Sequence, residues 1–168
     1  ANRLKRVIRH TGPRNQALIR MTWPTTDDSD QFRAIGLQLL ARIVLIELME
    51  SLREKLGKTY SPGASSAPSH YWRGYGTFAV AASVDVGDVP AARAAIPETL
   101  ARLRDKPVSD DEFQRARAPL IDAHDNALKS NNCWMTLVDR AQTEADQIAR
   151  YEAYDALLQR LTPTEIQA

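Results

Sequence analysis

Between residues 31 and 56 the apolar positions keep helical spacing. Phe32, Ile35, Leu39, Ile43, Ile46 and Met49 form one face, and Leu37, Leu40, Val44 and Leu48 fill a second. A helix apolar over most of its girth should be central and packed on two sides. The run TTDDSD at 25–30 ahead of it is rich in N-cap residues. Gly57 is a natural residue to end it, because glycine turns left-handed without steric cost.

Strand signals flank this helix. Residues 4–9 alternate weakly and predict a short strand, followed by a turn at 10–13. Residues 17–23 alternate Ala17, Ile19, Met21 and Trp23 against Leu18, Arg20 and Thr22, which suits a half-buried strand ended by Pro24. Residues 59–69 are small and polar with weak strand character. The clearest strand is 74–86, where Phe78, Val80, Ala82, Val84 and Val86 alternate with small or polar residues.

Helical patterns then take over. Asp88 caps a helix expected to run to about residue 104, broken or kinked at Pro97. SDDE at 109–112 is a capping box, and Phe113, Ala116, Leu120, Ala123 and Ala127 share one face of the helix that follows. Further helices are predicted over 134–144 and 147–161. TPTE at 162–165 announces another helix, with proline at N1 and glutamate at N3. A one-turn helix cannot stabilise itself, so residues 1–168 are expected to be one domain of a longer protein, truncated at its C-terminal end. Strands that are not separated by one helix each predict an α+β fold, an antiparallel sheet with helices packed on one face.

Composition narrows the function classes. A net charge of +1 gives no electrostatic case for nucleic acid. The most apolar run, 37–49, contains Gln38, Arg42 and Glu47 and is too short and too charged to span a bilayer. The single cysteine, Cys133, makes no internal disulfide and says nothing firm about compartment.

The candidate chemistry is sparse. His10, His70 and His124 stand far from one another, no H-x-x-E-H or H-E-x-x-H pattern occurs, and so no helix offers a pair of zinc ligands. Solvated or hydrogen-bonded histidines account for all three. Cys133 beside Trp134 reads as a small packed residue, and Tyr71, Trp72 and Tyr75 as a hairpin packing on the core or on a partner domain.

Arg53 and Tyr60 remain. Arg53 lies in the last turns of the long helix, Gly57 reverses the chain, and Tyr60 begins the next strand. Two readings stand at this point. Arg53 offsets the helix dipole while Tyr60 packs, or the reversal aims a guanidinium and a phenol at one carbonyl or developing oxyanion.

The run LREKLGKTYSP at 52–62 resembles the signature of the second homologous half of the pitrilysin/insulinase zinc metallopeptidases. HTGPRNQALIRMTWPTTDDSD at 10–30, GYGTF at 74–78, SDDEFQRARAPL at 109–120, NNCW at 131–134 and the terminal LTPTEIQ agree with it, so the resemblance covers nearly the whole chain and is nearest to bacterial members. It implies a LuxS/MPP-like half of a peptidase clamshell. The other, homologous half carries H-x-x-E-H and the zinc, on the same chain or on a partner subunit. This half lacks metal ligands and closes over the peptide substrate, with Arg53 and Tyr60 touching the peptide backbone and Tyr60 placed to stabilise the tetrahedral transition state. A periplasmic location follows from the resemblance alone. The chain departs from the family pattern at Glu47-Leu48, where many relatives carry Arg-Leu. The alternative is a scaffold or subunit homologue that has lost catalysis; the presence of both Arg53 and Tyr60 favours the enzyme part.

Overall fold

A computed structural model describes residues 15–57 and 61–167. The predicted strand at 4–9, the turn at 10–13, His10 and Tyr60 lie outside the described residues. Three strands, β1 (Gln16–Thr25), β2 (Ser61–Pro68) and β3 (Gly76–Asp85), form an antiparallel sheet in the order β1-β3-β2. Six α-helices complete the described part of the fold: α1 (Gln31–Leu56), α2 (Val89–Asp105), α3 (Asp110–Ala127), α4 (Asn131–Ala141), α5 (Gln147–Arg160) and the short α6 (Pro163–Gln167). This is the α+β arrangement that the element order predicts.

The core lies between one sheet face and α1. Leu39, Ile43, Val44, Leu48 and Leu52 of α1 are buried with Phe78, Val80, Ala82 and Val84 of β3. Ile19, Met21 and Trp23 of β1 pack on the same cluster. The period of two delivers them to one side, and Leu18 on the opposite side is 69% exposed. Trp23 and Phe78 are register partners whose rings lie 6.4 Å apart, a cross-strand pair that pins β1 to β3. Ala92, Ala95 and Ile96 of α2 and Phe113, Ala116 and Leu120 of α3 join the same cluster, α2 packing on both α1 and the sheet and α3 on α1. Ala123, which shares the predicted face of α3, is exposed, because α3 outruns the core at its C-terminal end.

Two prolines do not interrupt the elements they sit in. Pro24 does not end β1 but pairs opposite Thr77, one rung before the strand stops. Among the described residues β1 is an edge strand, where a missing N–H costs no ladder bond if it faces outward. Pro97 does not break α2, which runs unbroken across it. Pro97 and Arg93 are both exposed, so the carbonyl that loses its donor can turn to water. The capping box at Ser109 is present in full, with the Ser109 hydroxyl accepting from the Glu112 N–H and the Glu112 carboxylate accepting from Ser109. Helix α4 starts three residues earlier than its pattern suggests.

Candidate functional site

The C-terminal end of α1 is built as the sequence predicts. Gly57 takes φ 62° and ψ 12°, and its N–H donates to the Arg53 carbonyl at 3.0 Å. This is a left-handed cap closing the last turn. Arg53 and Lys55 supply positive charge there, which the dipole favours. The charges around them are used in tying α1 to its neighbours. Lys55 pairs with Glu98 of α2, and Arg115 of α3 approaches Glu50 at 3.8 Å. Arg53 differs. Its side chain is exposed, and among the described residues its guanidinium has no hydrogen-bond or ion-pair partner. Strand β2 begins at Ser61, four residues beyond Gly57.

The departure at Glu47-Leu48 also has a structural account. Leu48 is fully buried in the core. Glu47 is buried and pairs with Arg102, which reaches across from α2. A carboxylate in that position needs a cation, and the neighbouring helix supplies it.

At the other end of α1 stands a polar network that sequence reasoning missed. His70 Nδ1 lies 2.9 Å from Asp28 Oδ2, and its Nε2 3.8 Å from Glu144 Oε1. Arg150 of α5 donates to the Asp28 carbonyl at 2.9 Å and to its carboxylate at 3.1 Å. His70 is therefore hydrogen-bonded, as its bland reading allows. The neighbouring Asp27 accepts from the Ser29 hydroxyl, from Gly74 N–H at 2.6 Å and from Ser29 N–H at 3.1 Å. Those bonds, the Ser29 hydroxyl first, hold its carboxyl down to about 2. The network fastens the β2–β3 loop, where Gly74 sits at φ 68°. The loop does not pack its aromatics on the core: Tyr71, Trp72 and Tyr75 are 77, 73 and 58% exposed. The surplus acids at 27 and 28, beside the true cap Asp30, were the only local signal.

His124 and Cys133 come close to one another through Tyr151. The His124 ring lies 4.2 Å from that of Tyr151 and stacks at 4.8 Å on that of Tyr154. The Tyr151 hydroxyl donates to the His124 carbonyl at 3.3 Å and also meets Cys133, which is half-buried. Among the described residues no group of three or more His, Cys, Asp or Glu is placed to hold a metal ion, and none of the described helices is long and apolar enough to cross a membrane.

Comparison with known proteins bears on these features. A family model described as the peptidase M16 inactive domain matches residues 1–120. No curated protein matches the chain. Among solved structures, the inactive peptidase domain of a candidate zinc protease from Bordetella parapertussis is similar with TM-score 0.74 and 18% identity, over 95% of this chain and 86% of that one. The periplasmic protease PqqL from Escherichia coli gives TM-score 0.71 and 14% identity, over 93% of this chain but 17% of that one. A chain of complex III2 from Candida albicans gives TM-score 0.68 and 14% identity, over 91% of this chain and 39% of that one. At these identities the likeness is one of fold. This chain spans a minor part of the latter two.

Proposed function

This chain belongs to the peptidase M16 inactive-domain family, and we propose that it is the substrate-contacting half of a zinc-dependent metalloendopeptidase, inactive without the half that holds the metal. The observation that carries the reading is Arg53. It is exposed at the end of α1, without a partner among the described residues, where the neighbouring Lys55 and Arg102 are paired. A structural arginine would be expected to find a carboxylate. An unpaired guanidinium next to a chain reversal is available to a ligand's carbonyl.

In this reading Arg53 holds the peptide backbone near the scissile bond. Tyr60, three residues past the Gly57 cap, donates its hydroxyl to the oxygen that becomes negative in the tetrahedral transition state. The zinc belongs to the homologous half, on the same chain or on a separate subunit, since this sequence has no H-x-x-E-H. When bound there it supplies water activation and carbonyl polarisation. The periplasmic protease among the structural relatives supports a bacterial periplasm as the place of action.

A second reading, a non-catalytic subunit, is favoured by one observation: a chain of complex III2 from Candida albicans shares the fold. The test uses this chain combined with its zinc-bearing half. Tyr60→Phe lowers kcat/KM by roughly 10²- to 10³-fold, the effect of losing one oxyanion donor, while zinc content stays constant. Arg53→Ala raises KM as well. Unchanged kcat/KM in Tyr60→Phe removes the transition-state role, and a zinc half fully active without this chain leaves the subunit reading in its place.

A further inference from the structure

We propose that the outward face of α4 is a docking groove for a basic polypeptide segment, which seats an arginine side chain between Trp134 and Asp139. The inference does not depend on the reading of Arg53. Helix α4 buries one residue, Leu137. Its Trp134, Met135 and Val138 are exposed. With Asp139 and Gln142 they line a groove of about 390 Å³. Residues four apart stack on one side of a helix. Trp134, Val138 and Gln142 therefore form one row, and Met135 and Asp139 the row beside it.

Trp134 is held in place. Its indole Nε1–H donates to the Leu128 carbonyl at 2.7 Å. The polar handle is thus satisfied within the chain, and the ring is left to offer its apolar surface. A fixed ring loses little freedom when a ligand covers it. The Asp139 carboxylate is the one charge in the lining. It is exposed, and among the described residues it has no hydrogen-bond or ion-pair partner. The next residue, Arg140, does not line the groove, because one residue turns the helix by about 100°.

Charge selects the occupant. An apolar partner, a second copy's like face included, would cover Asp139 without supplying a counter-charge. An anionic partner would be repelled. A side chain with an apolar stem and a cationic head suits both parts of the groove: its methylenes lie on Met135 and Val138 while its head reaches Asp139. Arginine fits better than lysine. Its planar guanidinium stacks on an aromatic ring, forks onto a carboxylate and is more weakly hydrated. The Gln142 amide oxygen is a further acceptor for a guanidinium N–H.

The test is a nitrogen-15 NMR titration of the whole chain with the tripeptide acetyl-leucyl-arginyl-leucinamide. The same peptide carrying citrulline, which keeps the shape of arginine without its charge, is the comparison. The expected result is a saturable shift of the Trp134 indole and of the amides of 134–142. The citrulline peptide binds about 2- to 5-fold more weakly, the usual worth of one exposed ion pair. Raised salt narrows that difference, and Asp139→Asn, an exposed change, removes it. No saturable shift, equal binding of the two peptides by the wild type, a preference that survives in Asp139→Asn, or shifts centred away from α4 overturns the proposal. So does a dimer of the chain alone that Val138→Asp dissociates, since the face then belongs to a second copy.

Discussion

The ion pair between Glu47 and Arg102 should respond unequally to loss of its two members. The Glu47 side chain is 8% exposed and that of Arg102 is 51% exposed. Arg102→Ala leaves a carboxylate held in the α1–α2 contact with no cation, and Glu47 cannot swing out without dragging α1. We expect a loss of about 3 kcal/mol, the low end for an uncompensated buried charge because the pair is partly wet. That corresponds to a Tm lower by about 6–12 °C for a domain of this size. In Glu47→Gln, Arg102 turns to solvent and the amide keeps its shape, so the loss should be about 1 kcal/mol. Glu47→Leu with Arg102→Ala should return to within about 1 kcal/mol of wild type, since an apolar pair can replace a buried ionic one. Urea and thermal melts followed by circular dichroism measure all three. Equal losses in Arg102→Ala and Glu47→Gln would refute the reasoning. Arg53 lies six residues on, about 9 Å along the helix axis. A slip of α1 against α2 moves the guanidinium with it.

Glycine substitutions should separate backbone strain from collision. A Cβ at Gly57 meets nothing within 4 Å, so Gly57→Ala should cost only its left-handed backbone, about 1–2 kcal/mol by thermal melt. A Cβ at Gly76 would lie 2.1 Å from the Thr26 carbonyl oxygen, so Gly76→Ala should be far more damaging in the same assay. For Asp27, whose carboxyl is held at about 2, the sign is that of a depressed acid. Its contribution is present above the unfolded value near 4 and disappears as pH falls from there through about 2. The Gly74 amide resonance should report that titration, and a midpoint near 4 would mean that the Asp27 bonds to the β2–β3 loop do not persist in solution.

Helix α1 was legible from sequence because three independent signals agreed: the apolar period, the acidic cap at Asp30, which accepts from Arg33 N–H at 3.0 Å, and the left-handed Gly57. Strand β3 was legible because every second residue faces the core. Pro24 was misread as a strand end, and Pro97 does not break its helix, because the rule against proline concerns the fate of one N–H or one carbonyl. Neighbouring strands and solvent settle that fate, and the proline itself does not. Of the candidate site, Arg53 was suggested by its place before the cap, and the role proposed for Tyr60 rests on family resemblance alone. The His70–Asp28–Glu144–Arg150 network was illegible for a different reason. Its contacts join residues 42 to 122 positions apart, with no local period to betray them.

These two ends of α1 also do different work. The helix is about 39 Å long at 1.5 Å per residue, so the exposed aromatic loop near its start and Arg53 near its finish, unpaired among the described residues, cannot share one ligand pocket. At the start, polar groups are spent on fixing a loop: Asp27, Asp28, His70 and Arg150 all find partners within the chain. At the finish, Glu47, Glu50 and Lys55 fix the helix to α2 and α3, and Arg53 is left out of that bracing. A fold that merely needed positive charge at the helix terminus already has it in Lys55, which also bonds across to Glu98. Arg53 adds nothing to the helix that Lys55 does not supply. Under the proposed reading, its lack of a partner among the described residues leaves it available, since a guanidinium already engaged by a carboxylate would have to break that pair before it could take a backbone carbonyl.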